Sequence, residues 1–244
     1  MTREFCVFCG REGKLTKEHA WPKWLRTVVP GALEVAPHVH EDAFGHVRRW
    51  LGIAFSDEAR RTCGNCNNGW MSRLERDAQP LITALILGQS QSLESGLLLV
   101  IARWITKTAL MLRYTHQSMF IPPSHYRELY SRQQPPKDCR VWVTCATDWR
   151  DEVADNHFPF RLVEPPKPKP DSLNAYGITM RVGKFVAQVF GHEVAMALNI
   201  SGVPAYMAEI WPHQTLTTWP PARTLSEGEA DAAMLVFAGT SFSQ

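Results

Sequence analysis

The chain has 244 residues, 45% hydrophobic and 20% charged, with a formal net charge of +2. That size and balance are ample for a buried core and exclude wholesale disorder. Residues 1–76 hold twelve Lys and Arg against nine Asp and Glu, a net of +3, while the remainder holds fourteen against fifteen, a net of −1. A mildly basic first third is compatible with a polyanionic partner, but it lacks the dense basic face usual in nucleic-acid binders.

The N-terminal stretch MTREFCVFCGREG contains no apolar run of the signal-peptide kind, so a cytoplasmic protein is expected. Thiols stay reduced there, and paired cysteines bind metal more often than they form disulfides. Cys6-Val-Phe-Cys9-Gly10 reads as a tight turn, followed by a short strand ending in Leu15-Thr16-Lys17-Glu18-His19. Pro22 can open a short helix to about residue 29, and Pro30-Gly31 stops it. Residues 34–41 and 46–55 alternate as two strands joined near Asp42–Gly45. Ser56 to Cys63 leads into a second knuckle. From about Asn67 the pattern is helical, with Trp70, Leu74 and Ala78 on one face.

Pro80–Leu87 continues or restarts that helix, and Gly88–Ser92 is a break. Residues 93–115 form the longest helical pattern, with Leu98, Ile101, Ile105, Ala109 and Leu112 as its apolar stripe and Arg103 and Lys107 elsewhere. Its most apolar part, Gly96–Leu112, is too short and too charged to span a bilayer, so a core element and no membrane are expected. His125–Arg132 reads as a short helix, and Arg140–Thr147 as a strand with Val141, Val143 and Cys145 on one face. Pro165–Pro170 is a linker or loop. Tyr176–Val182 and Lys184–His192 form a hairpin joined at Gly183. Ala205–Trp211 adds a strand. Leu225–Phe237 is a terminal helix with Ser226 as N-cap and Glu229 in the capping-box position. No internal repeat is present.

Four of the six cysteines fall into two CxxC units, Cys6/Cys9 and Cys63/Cys66. A two-residue spacing lets both sulfurs of a knuckle bind one ion, and two knuckles complete a tetrahedral thiolate zinc site. Such a site has no open position, so it is structural and ties residue 6 to residue 66. Cys139 and Cys145 read as small buried hydrophobes.

The stretch from Cys6 to Glu75 resembles the HNH endonuclease family. The matching text is Cys6-Val-Phe-Cys9-Gly10, then Glu18-His19-Ala20-Trp21-Pro22, then Cys63-Gly64-Asn65-Cys66-Asn67-Asn68-Gly69-Trp70-Met71. The resemblance implies a zinc-stapled ββα-metal module that hydrolyses phosphodiester bonds in DNA, RNA being the alternative substrate. It implies that Glu18 binds a catalytic divalent ion, that His19 is the general base, and that Asn67 is a second ligand of that ion, with Asn68 as the fallback. A carboxylate and an amide oxygen are hard ligands suited to Mg2+ or Mn2+, and His takes a proton near neutral pH. The family places an Asn before the second knuckle to orient the His. Residues 57–63 contain none, so His19 needs another holder such as a backbone carbonyl. Alternation along a strand sends Glu18 and His19 to opposite faces unless the pair sits at a strand end or bulge. The long stretch between His19 and Cys63 implies an inserted helix and a longer hairpin.

Lys23 and Arg26, one helical turn apart near His19, are candidate backbone-phosphate contacts, as are Arg48, Arg49, Arg60 and Arg61, with Trp50 as an aromatic neighbour. Solvated surface is the plainer account of these arginines, and also of His38, His40 and His46. The expected fold class is α+β: an HNH-like zinc module over residues 1–78, then an accessory region over 79–244 with a long helix, mainly antiparallel strands and a terminal helix. That region carries no catalytic constellation and suits a scaffold, homodimer-forming or substrate-selecting role. The rival expectation is a non-catalytic zinc-binding module for nucleic acid or protein.

Overall fold

The computed structural model describes residues 3–29, 35–41, 47–53, 58–114, 120–151, 153–160, 162, 173–194, 199–201, 206–235 and 241–243. Helix and sheet are mixed, and the strands within each sheet pair antiparallel, as an α+β chain requires.

Strand β1 (Leu15–His19) pairs antiparallel with β4 (Glu58–Cys63), a strand that sequence patterning left as a lead-in to the second knuckle. Between them lie a 3-10 helix at Lys23–Thr27, entered from Pro22, and the antiparallel pair β2 (Val35–Glu41) and β3 (Val47–Ile53). The expected short helix thus winds as a 3-10 helix. From Cys63 the chain runs into a short helical turn α1 (Gly64–Cys66), a π-helical turn at Asn67–Met71 and helix α2 (Ser72–Ile86). Helix α2 passes through Pro80 without a break. The residue 78/79 boundary falls inside it.

After α2 come β5 (Gln91–Ser92), α3 (Ser95–Leu112) and α4 (Pro123–Arg132). The remainder is built on a five-stranded sheet in the order β11-β6-β9-β8-β7. Its strands are β6 (Cys139–Cys145), β7 (Val153–Phe160), β8 (Ala175–Val182), β9 (Phe185–His192) and β11 (Ala208–Trp211). The β8–β9 hairpin turns at Gly183, as expected. Short β10 (Asn199–Ser201) pairs with β13 (Ser241–Ser243), and β12 (Thr218–Trp219) pairs with β5.

Every residue of β8 and β9 is buried. The side bearing Ile178, Met180, Ala187 and Val189 packs in the main core with α3, and the side bearing Val186 meets α5 (Glu227–Leu235) through Ala230 and Ala233. Strand β6 is buried on both sides for the same reason, so the single apolar face expected for it becomes two. Helix α5 starts as expected: the Glu229 carboxylate accepts from both Ser226 N and Ser226 Oγ, each at 2.9 Å.

One core cluster runs from the N-terminal knuckle through α2 and α3 into the sheet. Helix α3 alone is long and apolar enough to cross a membrane among the described residues, and 67% of that stretch is buried inside the protein. Phe8, between the first two cysteines, shows the continuity: its ring stands edge-on to Trp70 at 5.1 Å and to Tyr126 of α4 at 5.4 Å. Burying an aromatic ring here stabilises the knuckle by about 2 kcal/mol.

Candidate functional site

The sulfurs of Cys6, Cys9, Cys63 and Cys66 all lie within 4.8 Å of one another. Cys9 and Cys63 Sγ are 3.7 Å apart. A tetrahedron with metal–sulfur arms of 2.3 Å has edges of about 3.8 Å, so the quartet can hold a metal ion such as zinc. All six cysteines are free thiols. Burial pushes the Cys66 thiol up, and the neighbouring Cys6 adds to this by charge repulsion. Packing four thiolates this closely is costly without a dication between them.

Local backbone bonds shape the cluster. Gly10 N donates to Cys6 O at 2.9 Å, and Gly10 takes φ +70°, a left-handed conformation suited to glycine. Strand β4 carries one extra residue opposite the Thr16/Lys17 step, because Thr16 pairs with Thr62 while Lys17 pairs with Arg60. The extra residue is Arg61, whose carbonyl accepts from Val7 N at 3.0 Å. A bulge thus joins the first knuckle to the strand pair.

Asn67 sits one residue beyond the second knuckle. Its Nδ2 donates to Thr16 Oγ1 at 3.2 Å and to Lys17 O at 3.1 Å. The amide therefore pins β1, and its Oδ1 has no hydrogen-bond partner among the described residues. Asn68, the fallback ligand, is exposed on the same turn.

His19 closes β1 directly opposite Glu58. Its Nε2 lies 3.4 Å from Glu58 Oε1, which in turn is part of a carboxylate paired with Lys17 Nζ at 2.8 Å. The side chain that faces the imidazole is thus a cross-strand carboxylate rather than the backbone carbonyl expected. Burial, Lys23 and Arg26 push the His19 ring below its ordinary value, against the opposing pull of Glu58.

Glu18 pairs with Ala59, one register step back, and turns the other way. Its carboxylate is 13% exposed and its Oε1 lies 3.2 Å from Lys107 Nζ. Burial raises its pKa, and Lys107 opposes that shift. The bulge lies upstream of both residues, so ordinary alternation still separates Glu18 from His19. Glu18, His19 and Asn67 therefore share one strand as anchor but have separate partners: Lys107, Glu58 and the β1 backbone.

Lys107 lies off the apolar stripe of α3 in the sequence pattern. It is only 1% exposed. Its Nζ meets Glu75 Oε1 at 2.8 Å as well as Glu18. Glu75 Oε2 accepts from Trp24 Nε1 at 2.9 Å and from Trp104 Nε1 at 3.0 Å. Glu75 thus links α2, the 3-10 helix and α3 through a single carboxylate. Two acids hold the charge of Lys107 strongly enough to keep its pKa raised despite complete burial. A lysine inside an apolar helix was the one sequence signal that could have drawn attention to it.

The cationic candidates scatter. Lys23 is exposed and Arg26 half-buried in the 3-10 helix, and both act on His19 by charge. Arg60 and Arg61 are both exposed because the bulge shifts the alternation. The Arg61 guanidinium lies over the Tyr114 ring at 5.2 Å. Arg48 and Arg49 fall on β3, opposite His40 and Val39; their side chains, with those of His38, His40 and Trp50, lie outside the described residues, as does His46.

Away from this region, Cys139 is buried as expected, but in polar company. His125 Nδ1 is 2.9 Å from Tyr176 Oη and 3.4 Å from Cys139 Sγ, and His125 Nε2 is 3.1 Å from His192 O. Nε2 therefore carries the proton, and Nδ1 accepts. Burial pushes His125 down to about 4 and raises Cys139. A thiol this buried and protonated is inert, so the group is a packed hydrogen-bonded core.

No family model matches the chain, and no curated protein or solved structure matches it.

Proposed function

We propose that the chain is a metal-dependent endonuclease of the HNH kind that cuts phosphodiester bonds in DNA, with zinc in the four-cysteine cluster. The observation that carries the proposal is His19: a half-buried imidazole at the end of a strand, facing Glu58 through Nε2, with burial, Lys23 and Arg26 lowering its pKa. Nε2 is the nitrogen directed at a carboxylate, so Nδ1 is the base. Nδ1 removes a proton from water as the water oxygen attacks phosphorus, and the P–O3′ bond breaks, the leaving 3′ oxygen taking a proton from solvent. Products then carry 5′-phosphate and 3′-hydroxyl ends. Glu58 stabilises the imidazolium that forms. Lys23 and Arg26 draw the phosphate toward His19.

Glu18 Oε2 and Asn67 Oδ1 are acceptor oxygens without partners among the described residues, and as hard donors they fit Mg2+ or Mn2+. When bound, such an ion supplies positive charge for the phosphate and leaving oxygen. The zinc supports the site by stapling the Leu15/Cys63 end of the strand pair, and its closed thiolate set keeps it out of the chemistry.

Plasmid nicking with Mg2+ and Mn2+ tests the proposal, with single-stranded and duplex RNA run in parallel. Cleavage is expected from the wild-type chain and at least about a hundredfold less from His19→Ala. Equal rates in the two would sink it. The divergence of Glu18 and His19 favours a second reading, a non-catalytic zinc-binding module. That reading predicts nucleic-acid or protein binding with no cleavage under any metal.

A further inference from the structure

We infer that Lys107 is a positioning residue of the proposed divalent-ion centre: it holds Glu18 by one oxygen, leaves the other for the ion, and is itself held by Glu75. The inference rests on the nuclease proposal. It assigns to the accessory region, through α3, a part in a centre otherwise built from residues 1–78.

The geometry is specific. Lys107 Nζ contacts Glu18 Oε1 at 3.2 Å and Glu75 Oε1 at 2.8 Å, from a side chain with almost no exposure. Glu18 Oε2 has no hydrogen bond or ion pair among the described residues. A carboxylate held at one oxygen by a buried ammonium loses rotational freedom, which narrows the headings open to its second oxygen. Glu75 is in turn fixed by two indole N–H groups, from Trp24 and Trp104, at 2.9 and 3.0 Å. With three such donors on Glu75, Lys107 is held from behind. Glu18 is the only one of its two acids with an oxygen to spare. Electrostatics set a second role. Lys107 repels a dication at Glu18, and Glu75 offsets that repulsion.

Opposite signs follow for two substitutions. Lys107→Met removes the repulsion and exposes two acids to the ion, so Mn2+ binds about tenfold more tightly, yet Glu18 loses its heading and cleavage falls. Glu75→Gln has one acceptor oxygen where Glu75 uses two, so it serves either Lys107 or the indoles, and it leaves the lysine charge unbalanced; Mn2+ then binds about tenfold more weakly.

The experiment titrates Mn2+ into the intact zinc-loaded chain, reading free Mn2+ by electron paramagnetic resonance without substrate. Zinc content and melting midpoint are recorded for each variant. Tighter binding in Lys107→Met with weaker binding in Glu75→Gln supports the inference. Unchanged affinity in both, loss of affinity in Lys107→Met in step with its melting midpoint, or no Mn2+ binding by wild type overturns it. If Lys107→Met does not fold, Glu75→Gln decides: weaker binding supports, unchanged binding overturns. Nicking by wild type against His19→Ala judges the nuclease proposal separately. Nicking with unaltered Mn2+ affinities removes the role of Lys107 and leaves the nuclease, and shifted affinities without nicking do the reverse.

Discussion

Removing the metal from the four-cysteine cluster perturbs the fold in a calculable way. Cys9 and Cys63 are 54 residues apart in sequence and their sulfurs 3.7 Å apart in space. Closing a loop of that length in the unfolded chain is worth about 4 kcal/mol by the chain-entropy estimate used for covalent cross-links. The loss also releases repulsion among four packed thiols and frees β1 from β4 at the knuckle end, so 4 kcal/mol is the smaller part of the effect. For a chain of this size each kcal/mol lowers the melting midpoint by about 2–4 °C, so loop closure alone gives a drop of about 8–16 °C, the least that is expected. The assay is scanning calorimetry on zinc-loaded protein and on protein stripped with a chelator, with zinc added back to the stripped sample. Metal analysis should give about one zinc per chain before stripping and none after. A midpoint that moves by less than about 2 °C after verified stripping would refute the idea that the cluster clamps the strand pair. Equal native alkylation of Cys9 and Cys63 before and after stripping would refute it independently.

Three further outcomes follow from the geometry. His125 is held down to about 4 by burial, whereas an exposed imidazole titrates near 6.5, so the unfolded chain binds the extra proton; stability is full above pH 6.5, is lost as pH falls toward 4, and drops by about 2 kcal/mol between pH 7.5 and 5. Denaturant unfolding of wild type and His125→Gln at those two pH values checks this, and equal pH slopes would count against it. Gly191→Ala places a Cβ 2.4 Å from the Tyr176 ring, inside a fully buried hairpin, and should cost about 3 kcal/mol or more in the same assay. Cleavage by the wild-type chain should rise with pH through a midpoint below the ordinary histidine value, because His19 must be neutral to act and its surroundings favour the neutral form. A pH–rate profile with its lower limb above pH 7 would contradict the placement of His19.

What could be read from the chain divides along sequence distance. The two CxxC units, the Gly183 hairpin and the Ser226/Glu229 cap are local patterns, each written within a few residues, and the structure contains all of them. The stripe of Trp70, Leu74 and Ala78, which runs from the π-helical turn into α2, is buried as its spacing implied. Lys107 was legible only as a polar interruption, since its partners Glu75 and Glu18 are brought to it by the packing of α2 and β1 on α3. Strand β7 hid behind Asp155, Asn156 and His157, whose polarity suits a loop; the first and last of these pair with each other at 2.7 Å on the sheet edge. The Arg61 bulge leaves no trace in composition, because both Arg60 and Arg61 suit an exposed strand. Glu58 could have been suspected as the residue facing His19 only once β1 and β4 were known to pair.

The strand pair opens toward residues 20–57 at its His19/Glu58 end and is clasped at its Leu15/Cys63 end. Length added to the open side costs little: each doubling of a flexible excursion adds about 0.6 kcal/mol of closure entropy. The hairpin of β2 and β3 is carried on that excursion. Its register is set within itself, independently of the ladder it departs from. The open end is therefore a socket, into which modules of different size can be fitted while His19 and Glu58 stay opposite each other. Changes confined to β2 and β3 leave the His19/Glu58 pairing and the Trp24–Glu75 hydrogen bond in place.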